Sequence, residues 1–157
     1  MKKFLTGVLA LALALGLSAC GGENDSGSAP YGAGDVETMV NAGAFSEELE
    51  ELDGDTAFVL YRFSDYGLSR EDLKECAVQR SAGATCEEGA VLVFADADKA
   101  KTAADALKAY IQNQIDANED YRPAEIPKLE GAMVDQREES LLLVVANDLE
   151  AAKDALK

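Results

Sequence analysis

The sequence predicts an α+β domain, with helices packed on a mostly antiparallel sheet of about four strands. Short apolar runs bounded by turn residues predict the strands, and a long alanine-rich segment with apolar residues at helical spacing predicts a helix. The order strand–strand–helix occurs at residues 75–119 and again at residues 130–157. That repeated order favours a layered α+β architecture, whether it arose by duplication or because alanine-rich helices resemble one another by chance.

Two short helices are predicted before the sheet. The first begins at Asp35, which precedes apolar positions at helical spacing, and the second lies in "GAFSEELEEL" with Ser46 as its cap. "DGD" at 53–55 predicts a turn. "TAFVLYRF" fits either a strand or a helix, and "SDYGLSREDL" is a loop with room for one helical turn.

The elements of the sheet follow. "CAVQRSA" and "AVLVFA" predict strands joined by "GATCEE", and a long helix capped by Asp96 or Asp98 extends to about Glu119. The two prolines of "YRPAEIPKLEG" predict an extended connection. "AMVDQ" and "SLLLVVA" predict a hairpin around "REES", and Asn147 or Asp148 caps a final helix.

The strands "AVLVFA" and "LLLVVA" are apolar at both alternating sets of positions, which is typical of strands buried on both faces. We expect the long and final helices to cover one face. The other face requires either residues 36–52 or a partner, and the N-terminal residues are the favoured cover.

The N-terminus has the layout of a secretory signal peptide. Lys2 and Lys3 precede the apolar run Phe4–Leu17, which is shorter than the roughly 20 residues that span a bilayer. The following "LSAC" resembles a bacterial lipobox. In proteins with that motif the cysteine, here Cys20, receives a diacylglycerol and becomes the first mature residue. Two acyl chains hold a soluble domain stably on a membrane.

The predicted domain organisation follows from this motif. Residues 1–19 are a lipoprotein signal peptide, residues 20–34 are a lipidated cysteine and a flexible glycine- and serine-rich tether, and residues 35–157 are one globular domain. The expected location is the extracytoplasmic face of the cell membrane, with a diacylglyceryl anchor as the membrane contact.

The charge excludes one class of partner. The chain has 30 acidic and 14 basic residues, a net charge of −16. This repels phosphate backbones, and no basic stripe offsets it, so no nucleic acid is expected as a partner. The same charge disfavours docking on anionic headgroups, so attachment depends on the lipid itself.

The absence of histidine from the sequence excludes several chemistries. These are a serine triad, a cysteine–histidine nucleophile and a histidine-based zinc site. Paired carboxylates or a serine–lysine pair remain open, although no motif marks either. The acidic clusters do not follow the spacing of a calcium loop, so neither a metal site nor a cofactor is expected.

Two groups of residues are candidates for a role outside the core. Cys76 and Cys86 form either a disulfide, which an extracytoplasmic location permits, or two independent thiols. The second group is a mixed aromatic and basic patch that fits either a carboxylate or peptide end, or the core edge of a turn. Its residues are Tyr61, Arg62, Phe63, Tyr66 and Arg70.

Several stretches together resemble a known family. The lipobox and tether, "GAFSEEL", "LYRF", "SAGATCEEGAVLVF", the long helix and "YRPAEIPKLEGAMV" are similar to small bacterial lipoproteins classed as domain of unknown function 4358. The chain departs from that family's usual pattern at Arg62, where glycine is common, and at Gly89, where isoleucine is common. Cys76 and Cys86 are outside the pattern as well. The resemblance implies no established activity.

The sequence therefore favours a membrane-anchored extracytoplasmic lipoprotein that acts as a binding or accessory module for an unknown protein or peptide, without enzymatic activity. Two alternatives remain. One is a hydrolytic enzyme that uses carboxylates or a serine–lysine pair, and the other is a structural envelope component that self-associates.

Overall fold

The computed structural model describes residues 29–157. The predicted signal peptide, Cys20 and most of the tether lie outside these residues. In the described part, no helix combines the length and apolarity that a membrane span requires.

The described residues form one antiparallel sheet with helices on both faces, which confirms the α+β class. The strands are β1 (Glu50–Leu52), β2 (Leu73–Arg80), β3 (Glu88–Phe94), β4 (Met133–Arg137) and β5 (Ser140–Val145). Their order across the sheet is β1-β2-β3-β5-β4, and every neighbouring pair is antiparallel. The helices are α1 (Gly34–Asn41), α2 (Gly54–Leu60), α3 (Ala97–Asn118), α4 (Ile126–Glu130) and α5 (Leu149–Ala155).

The sheet has five strands rather than about four, because residues 50–52 form an edge strand where a short helix was predicted. Leu52 pairs with Val78 of β2. Ser46, the expected helix cap, instead donates its amide and hydroxyl hydrogens to the carboxylate of Glu87, at 2.7 and 2.6 Å. Pairing with β2 and this tertiary contact override the helical pattern of the segment.

Three local predictions can be resolved. The "DGD" turn is the start of α2, because the Asp53 carboxylate accepts hydrogen bonds from the amides of Asp55 and Thr56 at 2.9 Å. The ambiguous "TAFVLYRF" is therefore mostly helix. The extended connection predicted at residues 121–131 is wrong, since Pro123 and Pro127 occupy the first turns of a 3-10 helix and of α4, where proline is tolerated.

The central strands are buried on both faces, as predicted. On the first face, alternate residues such as Leu92 and Leu143 pack with α2 and α3. On the second face, Val91 and Leu142, which pair across the ladder, pack with α1 and α5. Helix α3 begins at an Asp96 cap, whose carboxylate accepts the Lys99 amide hydrogen at 2.9 Å.

The final helix lies on the opposite face from the one predicted. The amide of Asp148 donates to the carbonyl of Ala44 at 2.9 Å, which holds the chain after β5 on the α1 side of the sheet. Consequently α1 and α5 together cover the second face. The strand–strand–helix order does recur. A twofold axis perpendicular to the sheet between the antiparallel strands β3 and β5 would place α3 and α5 on the same face, whereas they lie on opposite faces. The repeat is one of order, not of symmetry.

The ordered domain also begins earlier than predicted. Residues 29–34 were assigned to the tether, yet Tyr31 is 4% exposed and packs with Val36 and Met39 on the second face. An aromatic ring in a glycine-rich segment supplies the apolar area that the rest of that segment lacks.

Candidate functional site

The predicted aromatic and basic patch separates into three parts. Tyr61 and Phe63 are core residues, with ring centroids 5.4 Å apart. Arg62 and Tyr66 lie on the surface at the rim of a groove. Arg70 lies elsewhere, where it donates to the Asp55 carboxylate at 2.6 Å and to the Leu73 carbonyl at 3.0 Å. The five residues therefore do not form one patch.

The groove lies between α3 and the segment that comprises α2 and the 3-10 turn Phe63–Tyr66. It has a volume of about 270 Å³. We call it the Arg62 groove. The residues that line it are Leu60, Tyr61, Arg62, Asp65, Tyr66, Ala106, Ala109, Tyr110 and Asn113. The small side chains of Ala106 and Ala109 on α3 leave the space that the groove occupies.

Arg62 adopts a left-handed backbone conformation, with φ 56° and ψ 36°. This conformation costs a non-glycine residue about 1–2 kcal/mol. Its guanidinium forms an ion pair of 2.6 Å with Asp65, and the Arg62 side chain is 69% exposed. The strained backbone therefore carries a charged side chain at the groove rim. Because the Arg62–Asp65 ion pair is exposed to solvent, it contributes little to stability.

The floor of the groove rests on a buried carboxylate. The rings of Tyr61 and Tyr110 meet edge to face, with centroids 5.1 Å apart, and both hydroxyls donate hydrogen bonds to Glu88. Glu88 is 2% exposed. Burial raises the pKa of Glu88, although the two hydroxyl donors and Arg80 oppose that rise. Burial and the nearby Glu88 also raise the pKa of both tyrosines, so they remain donors at neutral pH.

Behind Glu88 lies a small cavity of about 40 Å³, which is large enough for a water molecule. The Nε atom of Arg80 is 3.7 Å from a Glu88 oxygen, and no hydrogen-bond acceptor contacts that Nε. Glu88 is the single carboxylate among the residues that line this cavity. Paired catalytic carboxylates would need a second one facing it, so the cavity does not have that geometry.

A second polar cluster joins Glu87, Glu125 and Lys128. The ammonium of Lys128 lies 2.7 Å from Glu87 and 3.1 Å from Glu125. Burial lowers the pKa of Lys128, but its hydrogen bonds to the two carboxylates raise it more, and the net direction is upward. Ser46 donates to Glu87 rather than to Lys128. A protonated lysine held by two carboxylates is a structural element and is poorly suited to be a serine's base.

The fold keeps Cys76 and Cys86 apart as free thiols. Cys76 stands opposite Leu92 in the ladder, whereas Cys86 precedes the Arg80–Glu88 pair at the other end of β3. A disulfide needs Cα atoms about 4.4–6.8 Å apart, so the bridge left open by the sequence does not form in this fold. Burial raises the pKa of Cys76 to about 11 and raises that of Cys86 as well, which disfavours reactive thiolates.

Within residues 29–157, no three acidic or cysteine side chains are grouped as metal ligands. The acidic residues are instead spread over the surface or engaged with cationic and hydroxyl partners.

A family model described as "Domain of unknown function (DUF4358)" matches residues 51–146, which is well over half of the chain. The chain belongs to the DUF4358 family. The matched region runs from β1 to the residue after β5, so it contains the Arg62 groove and Glu88 but not Tyr31, α1 or α5. No curated protein and no solved structure matches this chain.

Sequence reasoning found Arg62 and Tyr66 but missed Glu88 and the α3 side of the groove. A signal for Glu88 was present, since it is an acidic residue at the start of a strand that is otherwise apolar. The pairing of that carboxylate with Tyr61 and Tyr110 has no local signal, because the three residues come from β3, the C-terminal cap of α2 and α3.

Proposed function

We propose that this DUF4358 protein is a lipid-anchored extracytoplasmic binding module that holds a segment of a protein partner in the Arg62 groove. The observation that carries the proposal is the left-handed backbone of Arg62 at the groove rim. A conformation that favours glycine is occupied by a residue whose guanidinium binds carboxylates in two-pronged fashion. Backbone strain of this kind is concentrated at functional sites.

The surroundings of Arg62 favour a protein partner. Two large apolar side chains close to Arg62 in the chain are exposed, Val59 at 74% and Tyr66 at 40%, and Tyr66 lines the groove. Tyrosine and arginine are enriched at the energetic centres of protein interfaces. The groove, at about 270 Å³, is slightly smaller than a typical small-molecule pocket and suits one or two side chains of a peptide.

The charge of the protein suggests how a partner is recognised. In a chain of net charge −16, Arg62 offers a guanidinium whose present partner is the exposed carboxylate of Asp65. An incoming carboxylate, from an acidic side chain or a chain end, would compete for that guanidinium while an apolar side chain enters the groove. Exchange of one exposed ion pair for another costs little.

Peptide selection on the intact lipoprotein in detergent tests this function. We expect selected peptides to carry an acidic group beside an apolar residue, and Arg62→Gly to weaken their binding at least tenfold. The matched control is Glu138→Gly, since Glu138 also has a positive φ, 52°, but lies in the β4–β5 turn outside the groove. A selection without enrichment, or peptides bound equally by Arg62→Gly, would rule the groove out.

The anchor is tested separately. Replacing Cys20 with alanine should release the protein from the membrane fraction or leave an uncleaved precursor. Unchanged processing together with unchanged membrane attachment would contradict lipidation at that residue.

The two alternatives receive less support. In the part of the chain that the structure describes, Glu88 is the single carboxylate that lines the small cavity. In the second cluster Glu87 and Glu125 both bind the ammonium of Lys128, and Ser46 donates to Glu87 rather than to Lys128. The sheet edges also bear charge: Glu50 and Glu51 lie on β1, and Asp135 and Arg137 lie on β4. Charged edge strands oppose edge-to-edge assembly, so light scattering of the lipoprotein freed of its acyl chains should give the mass of a monomer.

A further inference from the structure

The entry of the chain into the domain is held at one point by Tyr31. Its amide donates to Ser140 Oγ at 2.8 Å, and its hydroxyl donates to the Asp135 carboxylate at 2.5 Å. The guanidinium of Arg137 lies over the ring, 4.0 Å from its centroid, and also donates to the Ala29 carbonyl at 3.2 Å. Three hydrogen bonds and one cation–π contact thus fix residues 29–31 to the β4–β5 hairpin, and the Tyr31 ring is also buried. We call this set of contacts the Tyr31 clamp.

This point lies on the opposite side of the sheet from the Arg62 groove. Tyr31 packs in the cluster of α1, α5 and the second sheet face. Tyr61 and Tyr110, the floor of the groove, pack in the cluster of α2, α3 and the first face. A helix–sheet–helix stack with layers about 10 Å deep is roughly 30 Å thick.

The length of chain between the anchor and this point is short. Ala29 is nine residue steps from Cys20, and nine residues span at most roughly 30 Å when fully extended. To lay the groove on the bilayer, those residues would have to run straight across the whole thickness of the domain. That arrangement selects one stretched conformation out of many and carries a large entropic cost.

We propose that the Tyr31 clamp directs the Arg62 groove away from the bilayer that holds Cys20, so that the partner is a protein in the space beyond the membrane. Contact of the groove with a lipid or a membrane-embedded segment of the same bilayer requires that fully stretched tether and is therefore disfavoured. This inference rests on the proposed anchor and groove, and it adds the orientation and the kind of partner.

Energy transfer to a headgroup-labelled bilayer tests the orientation. The native lipoprotein is incorporated into phosphatidylcholine vesicles with a small fluorescent amino acid at one of two exposed sites. Glu37 on α1 reports the clamp side, and Val59 on α2 reports the groove side. We expect transfer from position 37 to be several-fold more efficient than from position 59. Equal transfer, or more from position 59, would overturn the proposal.

Two variants assign the effect to the clamp. Tyr31→Ala should reduce the ratio between the two sites, and Asp135→Ala, which keeps the ring, should reduce it less. Tyr121→Ala, at an exposed tyrosine that does not line the groove, should leave it unchanged. Circular dichroism verifies that each variant is folded. A ratio that survives in folded Tyr31→Ala shows that the clamp does not set the orientation.

The outcome is distinguishable from a failure of the underlying function. A protein without the acyl anchor does not incorporate into vesicles, and a groove without a ligand binds no selected peptide in detergent. If the protein does incorporate into vesicles and the groove does bind a selected peptide in detergent, that peptide should bind with the same Kd on vesicles and in detergent. A peptide Kd at least tenfold higher on vesicles than in detergent would show that the groove faces the bilayer.

Discussion

Tyr110 donates a hydrogen bond of 2.7 Å to Glu88, and this joins the floor of the Arg62 groove to a carboxylate that is buried at the start of the central strand β3. Tyr61, the residue that follows α2, donates to the same carboxylate. The groove therefore rests on a three-residue polar unit whose members come from the C-terminal cap of α2, from α3 and from β3. Buried polar networks of this kind are costly to leave partly satisfied, which makes Glu88 the first target for mutation.

Glu88→Gln should make stability depend less on pH. The pKa of Glu88 in the folded protein is raised above its ordinary value of 4.5. A raised carboxyl pKa means that the folded state binds the proton more tightly, so the contribution to stability is full at acid pH and is lost as pH rises through the folded pKa. Urea unfolding at pH 5 and pH 8 should therefore show a smaller cost of Glu88→Gln at pH 8.

Asp72→Asn is the matched control for that experiment. Hydrogen bonds from Ser69 lower the pKa of Asp72, so its contribution is present above its unfolded pKa and is lost only as pH falls below that range. Asp72 is ionised in both states between pH 5 and pH 8. The cost of Asp72→Asn should then be the same at both pH values. If the cost of Glu88→Gln is also the same at pH 5 and pH 8, Glu88 does not contribute to the pH dependence of stability.

Tyr110→Phe should destabilise the fold by about 1.5–3 kcal/mol, the range for a hydrogen bond to a charged group. The phenol is lost and the ring remains, so packing against Tyr61 is preserved. Urea unfolding measures the free energy of unfolding. Tyr121→Phe, on the exposed surface, should leave it unchanged. A neutral Tyr110→Phe would mean that water replaces the hydroxyl at Glu88.

Arg62→Gly should stabilise the fold while it weakens peptide binding at least tenfold. Relief of the left-handed strain, about 1–2 kcal/mol, is partly offset by the entropic cost of glycine, about 0.5–1 kcal/mol. The net gain of roughly 0.5–1 kcal/mol corresponds to about 2–4 °C in Tm for a domain of this size. Glu138→Gly should give a similar gain, because Glu138 has φ 52°, and should keep binding intact. Calorimetry of both variants measures the gain. Destabilisation by Arg62→Gly would show that contacts of the arginine outweigh its backbone strain.

Lys128→Met should be among the most damaging single substitutions. It leaves the carboxylates of Glu87 and Glu125 without their cation, and the Glu87 side chain is fully buried. Removal of one partner of a buried ion pair costs about 3–5 kcal/mol. Lys157→Met removes a surface pair with Asp154 and should have no measurable effect. Chemical denaturation compares the two, and similar costs would contradict the structural role of Lys128.

Gly89→Ala should cost about 1 kcal/mol by overpacking. A Cβ at this position would lie 3.0 Å from Cζ of Phe45 and 3.5 Å from Cε of Met39. The Phe45 ring occupies the space that a side chain at position 89 would need. Phe45→Leu should therefore offset part of the cost, which a double-mutant cycle measures. Gly32→Ala, which meets no atom within 4 Å, is the neutral control.

The sequence determined those features that are encoded locally. Strict apolar runs specified β3 and β5 as strands buried on both faces. Side-chain caps specified the starts of α3 at Asp96 and α5 at Asp148. Such signals are carried by neighbouring residues, and hydrogen bonds within three residues act wherever the segment lies. The α+β class and the repeated strand–strand–helix order follow from them.

The tertiary structure decided what depends on distant partners. Residues 50–52 became a strand because β2 offered a free edge, and α5 crossed to the second face because Asp148 binds Ala44. The Arg62 groove needs α3 beside α2, and Glu88 acquired its environment from two tyrosines 22 and 27 residues away. A pattern read along the chain reports period and caps, whereas these contacts arise from the free energy of packing separate segments together.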